Sequence, residues 1–209
     1  MDDQKTQYRM CCMGCGLNCT VAGDEYIPFP DCEQRKIAVW PDHNYYFKLA
    51  IHELIFKEYP CYLAEGVVFV DFSLANFMLF MKERWLALLA SSGMSVILVA
   101  DREMYALANY WLRRSSRIKA VIISQEGREH FKKNAKRSLY GRACKGRKFP
   151  VITQREMRVM SLLLTGRTAN DISDILQCSI RSVRGAEASL RKKFGGVPRL
   201  GRLCAGYCS

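Results

Sequence analysis

Three runs of β-branched and apolar residues, VVFVD at 67–71, SVILVA at 95–100 and AVII at 120–123, recur along the first two thirds of the chain. A helix-length stretch follows each of them. An unbroken apolar run of this length suits a strand buried on both faces, and a helix between two such strands has to cross the sheet. The pattern predicts an α/β domain built on a parallel sheet with right-handed crossovers. Its helices are expected at 74–89, 102–114 and 128–139. Upstream, IAVW at 37–40 gives a further strand, Pro41-Asp42-His43-Asn44 a turn and helix start, and 45–56 a helix with Phe47, Ile51, Leu54 and Ile55 near helical spacing.

Charge divides the chain at the end of that domain. From Arg137 onward there are 15 Lys or Arg against four acids, whereas the whole chain holds 32 and 20, so 17 basic and 16 acidic residues remain in the first 136. A near-neutral front and a strongly cationic rear point to a polyanion partner for the rear. The 49% hydrophobic content is ample for packed cores. No run of about 18 apolar residues offers a membrane span, and residues 1–19 lack the basic start and apolar run of a secretory signal. The expected location is the cytoplasm, with no membrane association. No nucleophile–base constellation or phosphate-cradling glycine loop suggests an enzyme.

The expected organisation is an irregular Cys-rich arm at 1–35, the α/β domain at 36–140, a basic Gly- and Pro-containing linker at 141–150 and a helical domain at 151–209. In that last part Thr153-Gln154-Arg155-Glu156 fits a capping box. Val159, Met160, Leu163 and Leu164 then form one apolar stripe, and Thr165-Gly166 closes the helix. A second, shorter helix spans 169–176 with Ile172, Ile175 and Leu176 inward. Gln177-Cys178-Ser179 is a tight turn, and a third helix from 179 or 180 to 193 turns Val183, Ala186 and Leu190 inward and Arg181, Arg184, Arg191 and Lys192 outward.

These residues resemble the LuxR-type helix-turn-helix domains that end many response regulators. The resemblance covers about 50 residues in register: Ile152-Thr153-Gln154-Arg155-Glu156, Val159-Met160, Leu162-Leu163, Gly166, Asp171-Ile172-Ser173, Leu176, Cys178-Ser179, Ser182-Val183-Arg184 and Lys193-Phe194. It implies that the third helix enters the major groove of double-stranded DNA. Arg184 stands where the family has a base-reading Lys. Arg181 and Ser182 are expected at the backbone or groove edge, and Arg155, Arg191, Lys192 and Lys193 at phosphates. Gly185, Ala186 and Ala188 depart from the family pattern. The partners expected are DNA and a second copy of the chain or another LuxR-type regulator.

The front domain is read as a degenerate receiver. Asp71 ends a strand as a phospho-acceptor would, yet the first strand offers one acid, Asp42, the second run ends in Asp101 without a hydroxyl, and the third ends Ser124-Gln125 without a Lys. Only 29 positions separate Asp42 from Asp71, too few for the usual helix, strand and helix. Asp71 is therefore expected to cap the following helix and not to carry phosphate. Trp40-Pro41-Asp42, Tyr45-Tyr46-Phe47, His52-Glu53-Leu54-Ile55, Ala106-Leu107-Ala108-Asn109-Tyr110-Trp111 and Ile118-Lys119-Ala120-Val121-Ile122 resemble the enterobacterial regulators of common-pilus (Mat-type) fimbrial operons. That likeness implies a transcription activator of adhesion genes. Tyr110 and Trp111 are expected in the core.

Ten cysteines leave a question that the motifs above do not absorb. Cys12, Cys15, Cys19 and Cys32 are candidate thiolate ligands for Zn²⁺ or an iron–sulfur cluster, but only one Cys-x-x-Cys pair is present, and neither metal nor cofactor is expected. Cys178, Cys204 and Cys208 make a second, less persuasive trio, because Cys178 is expected to fill an apolar turn position. The alternative to a DNA-binding regulator is a protein–protein adaptor that modulates a LuxR-type partner and touches DNA weakly.

Overall fold

The computed structural model describes residues 10–13, 37–59, 66–140 and 150–195. Strands β1 (Cys11–Cys12), β2 (Ile37–Trp40), β3 (Val67–Phe72), β4 (Ser95–Ala100) and β5 (Ile118–Ile123) form one sheet in sequential order. β2 to β5 are parallel, and β1 pairs antiparallel with β2, Cys11 opposite Val39. Every residue of β2, β3 and β4 is buried, which is why these runs show no polar alternation.

Alternate side chains of the strands serve two apolar layers. Ile37, Val39, Val67, Phe69, Ile97 and Val99 face α1 (Tyr45–Ile51), the π-type turn at His52–Phe56 that prolongs it, and α4 (Arg128–Leu139). Ala38, Trp40, Val68, Val70, Phe72, Val96 and Leu98 face a 3₁₀ segment at Leu74–Met81, α2 (Arg84–Ala90) and α3 (Tyr105–Arg114). The strand order advances in one direction, but the β2–β3 crossover runs over the face opposite to the next two. The sequence pattern does not tell which helices share a face, and the structure sets α1 apart from α2 and α3. Between β2 and β3 the described residues hold α1 with its π-type extension and no strand.

Two expectations change. Residues 10–13 are not an irregular arm: Met10 is fully buried, Cys12 is buried in β1, and the Met13 N–H donates to the Ile37 carbonyl at 2.9 Å. The single helix expected at 74–89 is broken at Lys82, which is extended at φ −119° and ψ 152°. The break has a tertiary cause. The indole Nε1 of Trp111 donates to the Phe80 carbonyl at 3.0 Å, and Phe80 and Trp85 both enter an aromatic cluster with Trp40 and Phe72. A straight α-helix would tie the Phe80 carbonyl into its own ladder and turn Trp85 elsewhere. Tyr110 and Trp111 lie in the core, as expected.

The three C-terminal helices are α5 (Gln154–Leu164), α6 (Ala169–Ile175) and α7 (Ile180–Lys193). Their core is continuous with the α2–α3 layer of the sheet domain. Phe194 meets Phe77 edge-on at 6.0 Å, and the Ile152 N–H donates to the Ala106 carbonyl. The linker expected at 141–150 lies, apart from Pro150, outside the described residues, as do Cys15, Cys19 and Cys32.

Because one apolar layer serves both domains, the whole chain should unfold in urea as a single transition. Phe77→Ala should lower stability by about 3 kcal/mol and separate the helical domain's transition from that of the sheet. Two wild-type transitions, followed by near-UV and far-UV circular dichroism, would contradict the shared core.

Candidate nucleic-acid interface

Each helix of the C-terminal domain begins and ends on a local signal. Thr153 Oγ1 accepts from the Glu156 N–H at 3.2 Å while Glu156 Oε2 accepts from the Thr153 N–H at 2.7 Å, the reciprocal box expected for α5. Gly166, at φ +75°, closes that helix: its N–H donates to Leu163 and that of Arg167 to Leu162. A second box, Thr168 with Asp171, opens α6. Its Thr-x-x-Asp spacing carries Asp where the capping-box signature has Glu or Gln, a weaker signal in the sequence. Gln177 adopts φ +49° in the turn, and Ser179 caps α7 by accepting from the Ser182 N–H.

Packing of α7 on this frame decides which side chains face outward. Val183, Ala186, Leu190 and Phe194 are buried against Val159, Met160 and Ile172. The opposite face carries Arg181, Arg184, Gly185, Ala188, Arg191 and Lys192, all exposed. These positions are spaced by three, four and seven residues, so they form one stripe along the helix. It contains four exposed cations, and the half-buried Glu187, three residues after Arg184 and four before Arg191, borders it. Arg155 is exposed in the first turn of α5.

Two of the singled-out polar residues have inward partners. Ser182 is half-buried, and its hydroxyl lies 2.9 Å from that of Ser179, so it braces the cap of α7. Lys193 turns back into the domain: Nζ donates to both Glu156 oxygens at 2.7 and 2.6 Å and to the Val151 carbonyl at 2.9 Å. Its side chain is 16% exposed and that of Glu156 8%. The ammonium expected at a phosphate thus fastens the end of α7 to the start of α5. One apolar expectation also shifts. Ile172 and Leu176 take the inward positions of α6, and Ile175 is left 52% exposed in a cleft of about 580 Å³ lined also by Glu83, Tyr110 and Arg114.

At the strand ends of the sheet domain, polar groups are engaged with one another. Asp71 is buried, and its carboxylate accepts from Asn44 Nδ2 at 2.8 Å while its carbonyl accepts from Asn76 Nδ2. Asp101, and not Asp71 as expected, accepts from the Leu74 N–H at the start of the 3₁₀ segment. It also accepts from the Ser124 hydroxyl. Asn44, which also caps α1, stands against Asp71 as a neutral amide.

Burial raises the cost of charge on Glu156, but hydrogen bonds from Lys193, Ser189 and Thr153 outweigh it and hold the carboxyl below its ordinary value of 4.5. A depressed folded-state value stabilises the fold above the unfolded value, and that contribution fades as pH falls through the folded one. Glu156→Gln, which keeps the capping geometry, should cost about 2 kcal/mol near pH 7. The gap to wild type should narrow as pH falls below the ordinary value of 4.5 and close below the depressed folded value. A pH-independent gap in urea titrations would contradict the ion pair.

Comparison with known proteins gives this geometry a lineage. The model of the EcpR N-terminal domain matches residues 11–139, and that of the luxR family of bacterial regulatory proteins matches residues 150–197. The "Uncharacterized protein YqeH" of Escherichia coli (strain K12) is 30% identical over 185 residues, 88% of either chain. Among solved structures, RcsB in a structure of two dimers bound to two parallel DNAs is 16% identical with a TM-score of 0.38. That match covers 68% of this chain and 73% of RcsB. FixJ from B. japonicum is 15% identical with a TM-score of 0.31, over 83% of this chain and 97% of FixJ. The first family model spans more than half of the chain and the second spans the capped helices that carry the cationic stripe; the chain belongs to the EcpR N-terminal domain family and is a LuxR-family DNA-binding regulator.

Proposed function

We propose that this protein is a sequence-specific transcription activator of a fimbrial or adhesion operon, acting in the cytoplasm as a dimer with α7 in the major groove. The stripe of four exposed cations on α7 carries this reading, because it is the surface that a groove lined by phosphates and base acceptors would select. Arg184, one turn into the helix, reads a guanine through O6 and N7. Arg181, Arg191, Lys192 and Arg155 hold phosphates. Ser182 supports the groove contact by fixing the first turn through Ser179. Lys193 acts through Glu156, setting the angle at which α7 leaves its support. The fimbrial target draws on the motif likeness at 40–55 and 106–122 and on the EcpR family match.

The stripe is open to solvent while Phe194 is docked on Phe77, which supports DNA binding with the helical domain still seated on the sheet domain. The amide of Asn44 at Asp71 fits the same conclusion, that the front domain works without phosphate. Among the described residues no helix is long and apolar enough to cross a membrane. A second reading, an adaptor that acts on DNA through another LuxR-type regulator, is favoured by one feature. Tyr45, Tyr46 and Leu49 are 65%, 81% and 43% exposed on α1, an apolar face suited to a protein partner.

Binding of the full chain to a promoter duplex should weaken steeply with salt. Arg184→Ala should cost about 1–3 kcal/mol on the preferred duplex and abolish promoter peaks in chromatin immunoprecipitation. Arg191→Ala should flatten the slope of log K against log salt by about 0.9, and Lys193→Met should leave it unchanged while lowering stability. Binding only when a second regulator is added would favour the adaptor, and promoter peaks that survive Arg184→Ala would remove that residue from base reading.

A further inference from the structure

Ile180 opens α7 with 39% of its surface exposed. Of the large apolar side chains described in α5, α6 and α7, only Ile175 shares that state, and Ile175 lies in the cleft beside Tyr110 and Arg114. Ile180 stands instead at the edge of the cationic stripe, one helical turn before Arg184 and in the row of the half-buried Glu187. Ser179 caps the helix directly before it, so its backbone position is fixed.

The middle of the stripe bears on what Ile180 can reach. A Cβ at Gly185 would meet nothing within 4 Å, so packing does not demand glycine there. Gly185 and Ala188 are both exposed and leave the centre of the face free of long side chains. A helix with such a face can lie close against a surface. Close approach matters because isoleucine is short: arginine reaches a groove floor from several ångströms further away. In the major groove the C5-methyl of thymine is the apolar group on display, and it pairs with apolar side chains.

We propose, on the basis of the major-groove reading above, that Ile180 is a specificity-determining residue that packs on a thymine methyl beside the guanine read by Arg184. Four residues advance a helix by about 6 Å, or about two base-pair steps of some 3.4 Å, so the thymine lies within about two base pairs of that guanine.

The test begins with a duplex selected from a random library by the full chain. Each thymine is then replaced in turn by deoxyuridine, which lacks only the methyl group, and affinity is read by fluorescence anisotropy at fixed salt. At one thymine of each half-site wild type should lose about fourfold in affinity, the worth of one buried methyl. Ile180→Ala should bind the thymine and uracil duplexes alike. Wild-type indifference to every replacement, which needs no variant to observe, overturns the proposal and leaves groove binding intact. So does an Ile180→Ala protein that keeps the wild-type discrimination, or one that weakens equally on both duplexes. Failure of wild type to bind any duplex removes the groove reading itself and this inference with it.

Discussion

A carboxylate in the first turn of α5 and an ammonium in the last turn of α7 meet within 2.7 Å, with little of either side chain in contact with water. Glu156 closes the capping box that starts α5, and the same carboxylate holds Lys193 where α7 ends. A charge taken this far from water is costly unless its partner stays in place, so the pair acts as a clasp between the two helices. The direction of α7, and with it the aim of Arg181, Arg184 and Arg191, depends on that clasp and on the apolar contacts of Val183, Ala186 and Leu190 beneath it. Phe194, the next residue, carries the constraint onward to Phe77 and the sheet domain.

The sheet domain has the layered build of a receiver. Its β2–β3 connection passes over the face opposite to the other two crossovers, and the short antiparallel β1 occupies the edge beside β2. At the strand ends, Asn44, Asp71, Asp101 and Ser124 are spent on one another and on the start of the 3₁₀ segment. The sheet domain and the helical domain are joined by packing and by the hydrogen bond from the Ile152 N–H to the Ala106 carbonyl. The aromatic layer of Trp40, Phe72, Phe80, Trp85 and Trp111 lies in the same apolar body as Phe77 and Phe194.

Much of this was legible from residue order. The run at 95–100 coincides with β4 and the helix at 128–139 with α4, because a strand buried on both faces and an amphipathic helix each leave a strong period. Thr153, Gly166 and Ser179 marked the helix ends because capping is local. What stayed hidden depended on distant partners. Nothing near Lys82 announces a break, since the cause is an indole 31 residues from the Phe80 carbonyl it binds. Lys193 sits in a basic run that looks solvated, and its carboxylate lies 37 residues earlier. The two-residue β1 is too short to show any period, and Ile175 has helical spacing but loses the inward place to Ile172 and Leu176.

The central claim is that one face of α7 meets DNA. Phenylglyoxal modification of arginines, mapped by peptide mass spectrometry with and without a bound promoter duplex, addresses it residue by residue. Arg181, Arg184 and Arg191 should be protected by the duplex, while Arg114 and Arg128 on the sheet domain should react equally in both states. Unchanged reactivity at the three α7 arginines, with protection confined to the sheet domain, would contradict it.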